Sequence, residues 1–127
     1  MEPHFDGLEF ELAFAYNHLR QFEKAIPILE KAIENNPKNY YFFRELGYSY
    51  LGLDKMENAE KTYRKGIKMS DNDFEKSEMS VNMAQTYFKL KNKKKFDEWA
   101  ELTRKYSTKN KKYLQYIEQF EESWNKK

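Results

Sequence analysis

The sequence predicts an all-α chain: a solenoid of three helix–turn–helix repeats, closed by a C-terminal capping helix. Three observations carry the prediction. The residues that pack recur with a period of 34: Leu12, Ala13, Tyr16, Leu19, Phe22, Ala25, Leu29, Ala32 and Ile33 return as Leu46, Gly47, Tyr50, Leu53, Met56, Ala59, Tyr63, Gly66 and Ile67. Self-similarity at roughly 20 to 50 residues marks stacked supersecondary units. Within each unit the apolar residues lie three and four apart, which is one face of a helix. Finally, Tyr113, Tyr116, Ile117, Phe120 and Trp124 make one more apolar stripe near the end of the chain.

The first repeat spans about 6–39. Its first helix runs through Leu12, Tyr16 and Leu19, and its second through Ala25, Ile28, Leu29, Ala32 and Ile33. Ala13, Ala25 and Ala32 are small enough to let two helix backbones approach. Pro27 falls near the start of its helix, where a missing N–H costs little. Asn35-Asn36-Pro37 ends that helix, because proline cannot continue it and disfavours it in the preceding residue. The second repeat, 40–73, copies the arrangement, with Gly47, Ala59 and Gly66 as the small residues. In the third, 74–108, Met83, Ala84, Tyr87 and Leu90 return at an offset of 37. Asn72-x-x-Glu75 has capping-box spacing, so the third repeat's first helix starts about a turn early and absorbs Phe74 to Lys76. A hairpin of this size cannot bury its own apolar face and becomes stable by stacking, and the ends of the stack need a polar cover. The capping helix at about 110–125 supplies one. Its polar face carries Gln115, Glu118, Gln119 and Glu122, which is too acidic for a membrane-surface helix.

These residues resemble the tetratricopeptide repeat family. The second repeat carries the family's pattern as Phe43, Leu46, Gly47, Tyr50, Ala59, Tyr63 and Gly66, with Asp71 where proline is usual. The first carries Leu12, Ala13, Tyr16, Ala25, Leu29, Ala32 and Pro37, with Glu9 in place of the opening aromatic. The third has Met83, Ala84 and Tyr87, then exchanges volumes: Phe96 stands where a small residue is usual and Ala100 where a large one is. The resemblance covers about residues 6 to 110. It implies a right-handed superhelix whose first helices line a concave groove for an extended peptide or a helix.

Composition narrows the chemistry. With no cysteine there is no disulfide, thiol nucleophile or Cys-based zinc site. No apolar run approaches a membrane span and no basic-then-apolar leader opens the chain, so the expectation is a single cytoplasmic domain with a net charge of +2. His4 falls in an expected frayed tail, and His18 has no carboxylate at metal-ligand spacing. Ser49, Ser77 and Ser80 have no histidine at helical spacing, and the four glycines form no phosphate loop. The sequence therefore predicts no enzyme, no cofactor and no metal. From Phe74 onward 13 Lys and Arg stand against 8 Asp and Glu, concentrated in Lys91–Lys95 and Lys109–Lys112. These runs read as solvated loops between helices rather than a phosphate-contacting patch, because nucleic-acid sites pair lysines with arginines and exposed aromatics.

The groove that the resemblance implies maps onto Phe14 and Asn17 in repeat one, with Phe10 beside them. Tyr41, Arg44, Glu45 and Tyr48 follow in repeat two, and Asn82, Gln85 and Phe88 in repeat three. Tyr41, Arg44 and Tyr48 form an i, i+3, i+7 stripe away from Leu46 and Tyr50, and Tyr and Arg are the types enriched at binding hot spots. One branch of the family clamps the terminal carboxylate of chaperones with Lys, Arg and Asn. Here the matching positions hold Phe10, Phe14, Glu45, Glu78 and Asn82, so only the Asn is kept and the glutamates repel a carboxylate. The expected ligand is a protein or peptide with apolar anchors and a Lys or Arg. Two alternatives remain: self-association or stacking on further repeats through the N-terminal face, and RNA binding through the late lysines.

Overall fold

The computed structural model describes the backbone of residues 4–109 and 111–126 and the side chains of residues 8–109 and 111–126. Seven α-helices and no strands occur among the described residues: α1 His4–His18, α2 Phe22–Asn35, α3 Tyr40–Gly52, α4 Met56–Met69, α5 Asp73–Lys89, α6 Lys93–Tyr106 and α7 Lys112–Asn125. They fall into two compact units, Met1–Met69 and Ser70–Lys127. His4, expected in a frayed tail, opens α1; its side chain and that of Phe5 lie outside the described residues.

The first unit is two hairpins, α1/α2 and α3/α4, with α2 and α1 both packed on α3. Its core is the periodic set: Ala13, Ala25, Leu29, Ala32, Phe42, Phe43, Leu46, Ala59 and Tyr63 are all buried. The turn inside each hairpin of the chain is the same device. Arg20, Asp54 and Lys91 have φ of 63°, 61° and 60°, at spacings of 34 and 37. After each, the next N–H reaches back to a tyrosine carbonyl: Gln21 to Tyr16 at 2.7 Å, Lys55 to Tyr50 at 2.9 Å and Asn92 to Tyr87 at 3.0 Å. That is the six-to-one bond of a Schellman cap, which satisfies a carbonyl left over at the helix end. None of the three residues is glycine, so each turn holds a left-handed residue at a cost of about 1 kcal/mol.

Two expectations about this unit change. Pro27 is the sixth residue of α2, past the first turn, so the Glu23 carbonyl loses its helical donor; the ring lies on the exposed face. Leu12 and Leu19, placed in the packing stripe by the repeat, are exposed, whereas Leu46 is buried. The reason is positional: α1 and α2 pack on α3, whereas among the described residues no helix packs on this face of α1.

In the second unit α5 and α6 form the third hairpin and α7 packs on both. α5 begins early, as the capping box predicts. The Asn72 side chain accepts from the Glu75 N–H at 3.1 Å, while the Glu75 carboxylate takes the Ser70 hydroxyl at 2.7 Å instead of returning to the cap. Phe96, Trp99 and Ala100 are fully buried, so the exchanged volumes fill the core together. α7 inserts Phe120 and Trp124 against Phe88 and Phe96, at ring separations of 4.6 to 6.2 Å, and Glu121 pairs with Arg104 of α6. Of the lysines in the run Lys91–Lys95, only Lys91 lies in the turn between helices. Asn92 caps α6, and Lys93, Lys94 and Lys95 form its first turn. Three cations there oppose the helix dipole, and Lys93 and Lys95 reach down to Asp97 at 3.0 Å and Glu98 at 3.9 Å.

Candidate peptide-binding site

The helices α1 and α3 of the first unit are tied by a buried polar knot. Asn17 is 2% exposed, and its amide Nδ2 donates to the Glu45 carbonyl at 3.1 Å and to Glu45 Oε1 at 3.0 Å. Ser49 Oγ lies 2.7 Å from Asn17 Oδ1 and 3.0 Å from the Glu45 carbonyl, so its single proton serves one acceptor at a time. The other Glu45 oxygen faces Arg44 Nη2 at 3.3 Å. The knot follows from helical spacing: Glu45 and Ser49 are four apart on one face of α3, and Asn17 answers both from the last turn of α1.

Aromatic side chains surround this knot. Tyr48 is exposed and meets the Phe22 ring edge-on at 5.8 Å. Phe14 is exposed and stacks on His18 at 6.4 Å with 18° between the planes. Phe10 packs inward on Phe42 at 5.8 Å and touches Phe14 and Tyr41, each at 6.1 Å. The Arg44 guanidinium lies over the exposed Tyr41 ring at 5.0 Å. A cavity of about 160 Å³ opens among Phe14, Asn17, His18, Glu45 and Tyr48. Its chemistry is an aromatic rim around a carboxylate. Glu45 is buried, and its two carboxylate oxygens accept from Asn17 and Arg44.

Six of the residues that the sequence assigns to the groove fall within this unit. Phe14, Asn17, Glu45 and Tyr48 meet around one cavity, and Tyr41 and Arg44 lie along the same helix. Asn17 and Glu45 are internal ties as well as lining. Sequence reasoning weighs His18 and Ser49 only as metal-ligating or catalytic candidates and not as part of this site; the i, i+4 relation of Phe14 to His18 and of Glu45 to Ser49 is the signal that could have found them. Asn82, Gln85 and Phe88 belong to the second unit. Gln85 is exposed and Asn82 half-buried, but Phe88 turns its ring to Phe120 and Trp124 of α7. Phe88 is thus a packing residue of its own unit, and with Lys89, Lys91, Ser123 and Trp124 it borders a separate cavity of about 250 Å³.

Among the described residues no group of three or more His, Cys, Asp or Glu could hold a metal ion, and no helix is long and apolar enough to cross a membrane. Residues 10–39 and 45–73 match the tetratricopeptide repeat. No curated protein matches the chain.

Proposed function

For this chain of the tetratricopeptide repeat family, we propose a non-catalytic role in which the α1–α3 face of the first unit binds a segment of a partner protein. Tetratricopeptide repeats are protein–protein interaction modules, and the proposal concerns the site and its ligand. One observation carries it: exposed Phe14 and Tyr48 flank a cavity with Glu45 in its lining. Aromatic faces attract a cation, and a carboxylate in a partly desolvated recess strengthens that attraction. The ligand is a peptide that seats a Lys or Arg in the cavity and an apolar side chain on Tyr41 or Tyr48.

Selection of a displayed random-peptide library on the purified protein tests this. The recovered sequences should share a Lys or Arg next to an aliphatic or aromatic residue. Tyr48→Ala should weaken a selected peptide by about 2 kcal/mol, roughly thirtyfold. Glu45→Gln should remove the preference for the basic residue. A set of peptides without basic residues, or binding indifferent to both changes, would overturn the assignment.

A further inference from the structure

Another recess of the first unit is lined by α2, α3 and α4, with α2 and α4 each packed on α3. It holds about 390 Å³, within the range of small-molecule sites, and shares no lining residue with the peptide cavity. Its floor comes from α3, where Phe43, Leu46 and Tyr50 follow at spacings of three and four on one helical face. Ile33 of α2 extends that floor. Phe43, Leu46 and Ile33 are all buried, so the base of the recess is apolar.

The walls are charged, and each lines the recess with one sign. Glu30 and Glu34 stand one turn apart on α2, and Lys61 and Lys65 one turn apart on α4. All four are exposed. Like charges four apart on a helix destabilise it slightly, and here two such pairs of opposite sign border one cavity. They do not neutralise each other. Arg64 of α4 pairs with Glu60 at 3.9 Å, but among the described residues Glu34, Lys61 and Lys65 form no ion pair. Glu30 accepts the Tyr50 hydroxyl through Oε2 at 3.1 Å, which leaves Oε1 for a ligand. The Thr62 hydroxyl is spent on the Asn58 carbonyl at 2.8 Å, so the lysines are the donors on the α4 side.

We propose that this recess binds a free α-amino acid with a large apolar side chain. Its ammonium meets the glutamates, its carboxylate the lysines, and its side chain the α3 floor. The size fits. An α-amino acid holds its charged groups about 3 Å apart, and a charge-assisted bond of about 2.8 Å at each end spans roughly 9 Å, the diameter of a sphere of about 390 Å³. Adjacent charges of both signs distinguish a free amino acid from a peptide, whose terminal charges lie far apart. A lone anion would gain the lysines and meet the glutamates as well, and a lone cation the reverse. Exposed charges contribute little each, so the complex is weak, in the millimolar range. This inference stands apart from the peptide site and does not depend on it.

Titration of the isotope-labelled whole protein with L-phenylalanine up to about 20 mM, followed by NMR, tests this. Signals from Ile33, Leu46 and Thr62 should shift saturably. N-acetylphenylalanine, phenylalaninamide and glycine lack in turn the ammonium, the carboxylate and the side chain, and each should bind at least about fivefold more weakly. Glu34→Gln and Lys65→Gln, at exposed positions, should each weaken phenylalanine about threefold with unchanged helical circular dichroism. No saturable shift, shifts confined to the cavity of Phe14 and Tyr48, or blocked forms that bind as well as phenylalanine would overturn the proposal.

Discussion

Gly47 of α3 lies directly on the ring of Tyr63 in α4: a Cβ at Gly47 would stand 2.5 Å from both Cε2 and Cζ. Tyr63 cannot swing aside without cost, because it is buried and its hydroxyl donates to the Arg44 carbonyl at 3.3 Å. Gly47→Leu should therefore destabilise the protein by about 1–3 kcal/mol through overpacking. Replacing a helical glycine gains roughly 1 kcal/mol of propensity, so even Gly47→Ala should fail to stabilise. Urea melts of both variants against the parent check this; an unchanged midpoint for the leucine variant would contradict the packing.

The burial of Asn17 makes it a structural residue too. Asn17→Leu removes the donor to Glu45 and the acceptor for Ser49 in one step, and leaves a carboxylate oxygen in the interior without that partner. The expected loss is about 1–3 kcal/mol, where a surface position would show almost none. Thermal or urea unfolding measures it. Ser49→Ala, which leaves the Asn17–Glu45 bonds in place, should cost less.

α7 covers Phe88 and Phe96 with Phe120 and Trp124. Truncation after residue 109 should expose that aromatic cluster and drive association. Size-exclusion chromatography should show aggregates, and the melt should broaden. The milder Trp124→Ala should lower stability while the chain stays soluble.

Alkaline pH should act through Tyr50. Burial, then the hydrogen bond to Glu30 and the repulsion of its carboxylate, raise the phenol above its usual value of 10.0; the hydroxyl donates to Glu30 Oε2 at 3.1 Å. The folded state thus holds the proton more firmly than the unfolded chain does. That contribution is complete below about pH 10 and is lost as pH rises through the raised value. Denaturant melts across pH 9 to 12 should show the decline, and Tyr50→Phe should make it shallower.

Local features carried most of the fold into the sequence. Helical stripes, the proline after Asn36, the Asn72 cap and the small residues at Ala13, Ala25, Gly47 and Ala59 each act over one or two turns, and a 34-residue period repeats them. Each signal is short-range and reinforces the others, so the helices and their pairing into hairpins could be read directly. The site was legible in part. The stripe of Tyr41, Arg44 and Tyr48 lies on one helix and follows from spacing, whereas the meeting of Phe14, His18 and Glu45 needs two helices.

Only the tertiary structure decided which of two equivalent residues is buried. Leu12 and Leu46 occupy the same place in the repeat, yet burial belongs to the neighbour as much as to the residue, and only Leu46 has a hairpin packed on it. The same holds for Asn17, whose side chain faces inward because Glu45 and Ser49 present partners there, and for Phe88, drawn to α7 by Phe120 and Trp124. Lys93 to Lys95 show the limit from the other side. Charge alone reads as loop, but Asn92 caps the segment and Asp97 and Glu98 pair with its cations, so the run is helix. Periodicity along the chain determines which face a residue shares, and contact between helices determines what that face meets.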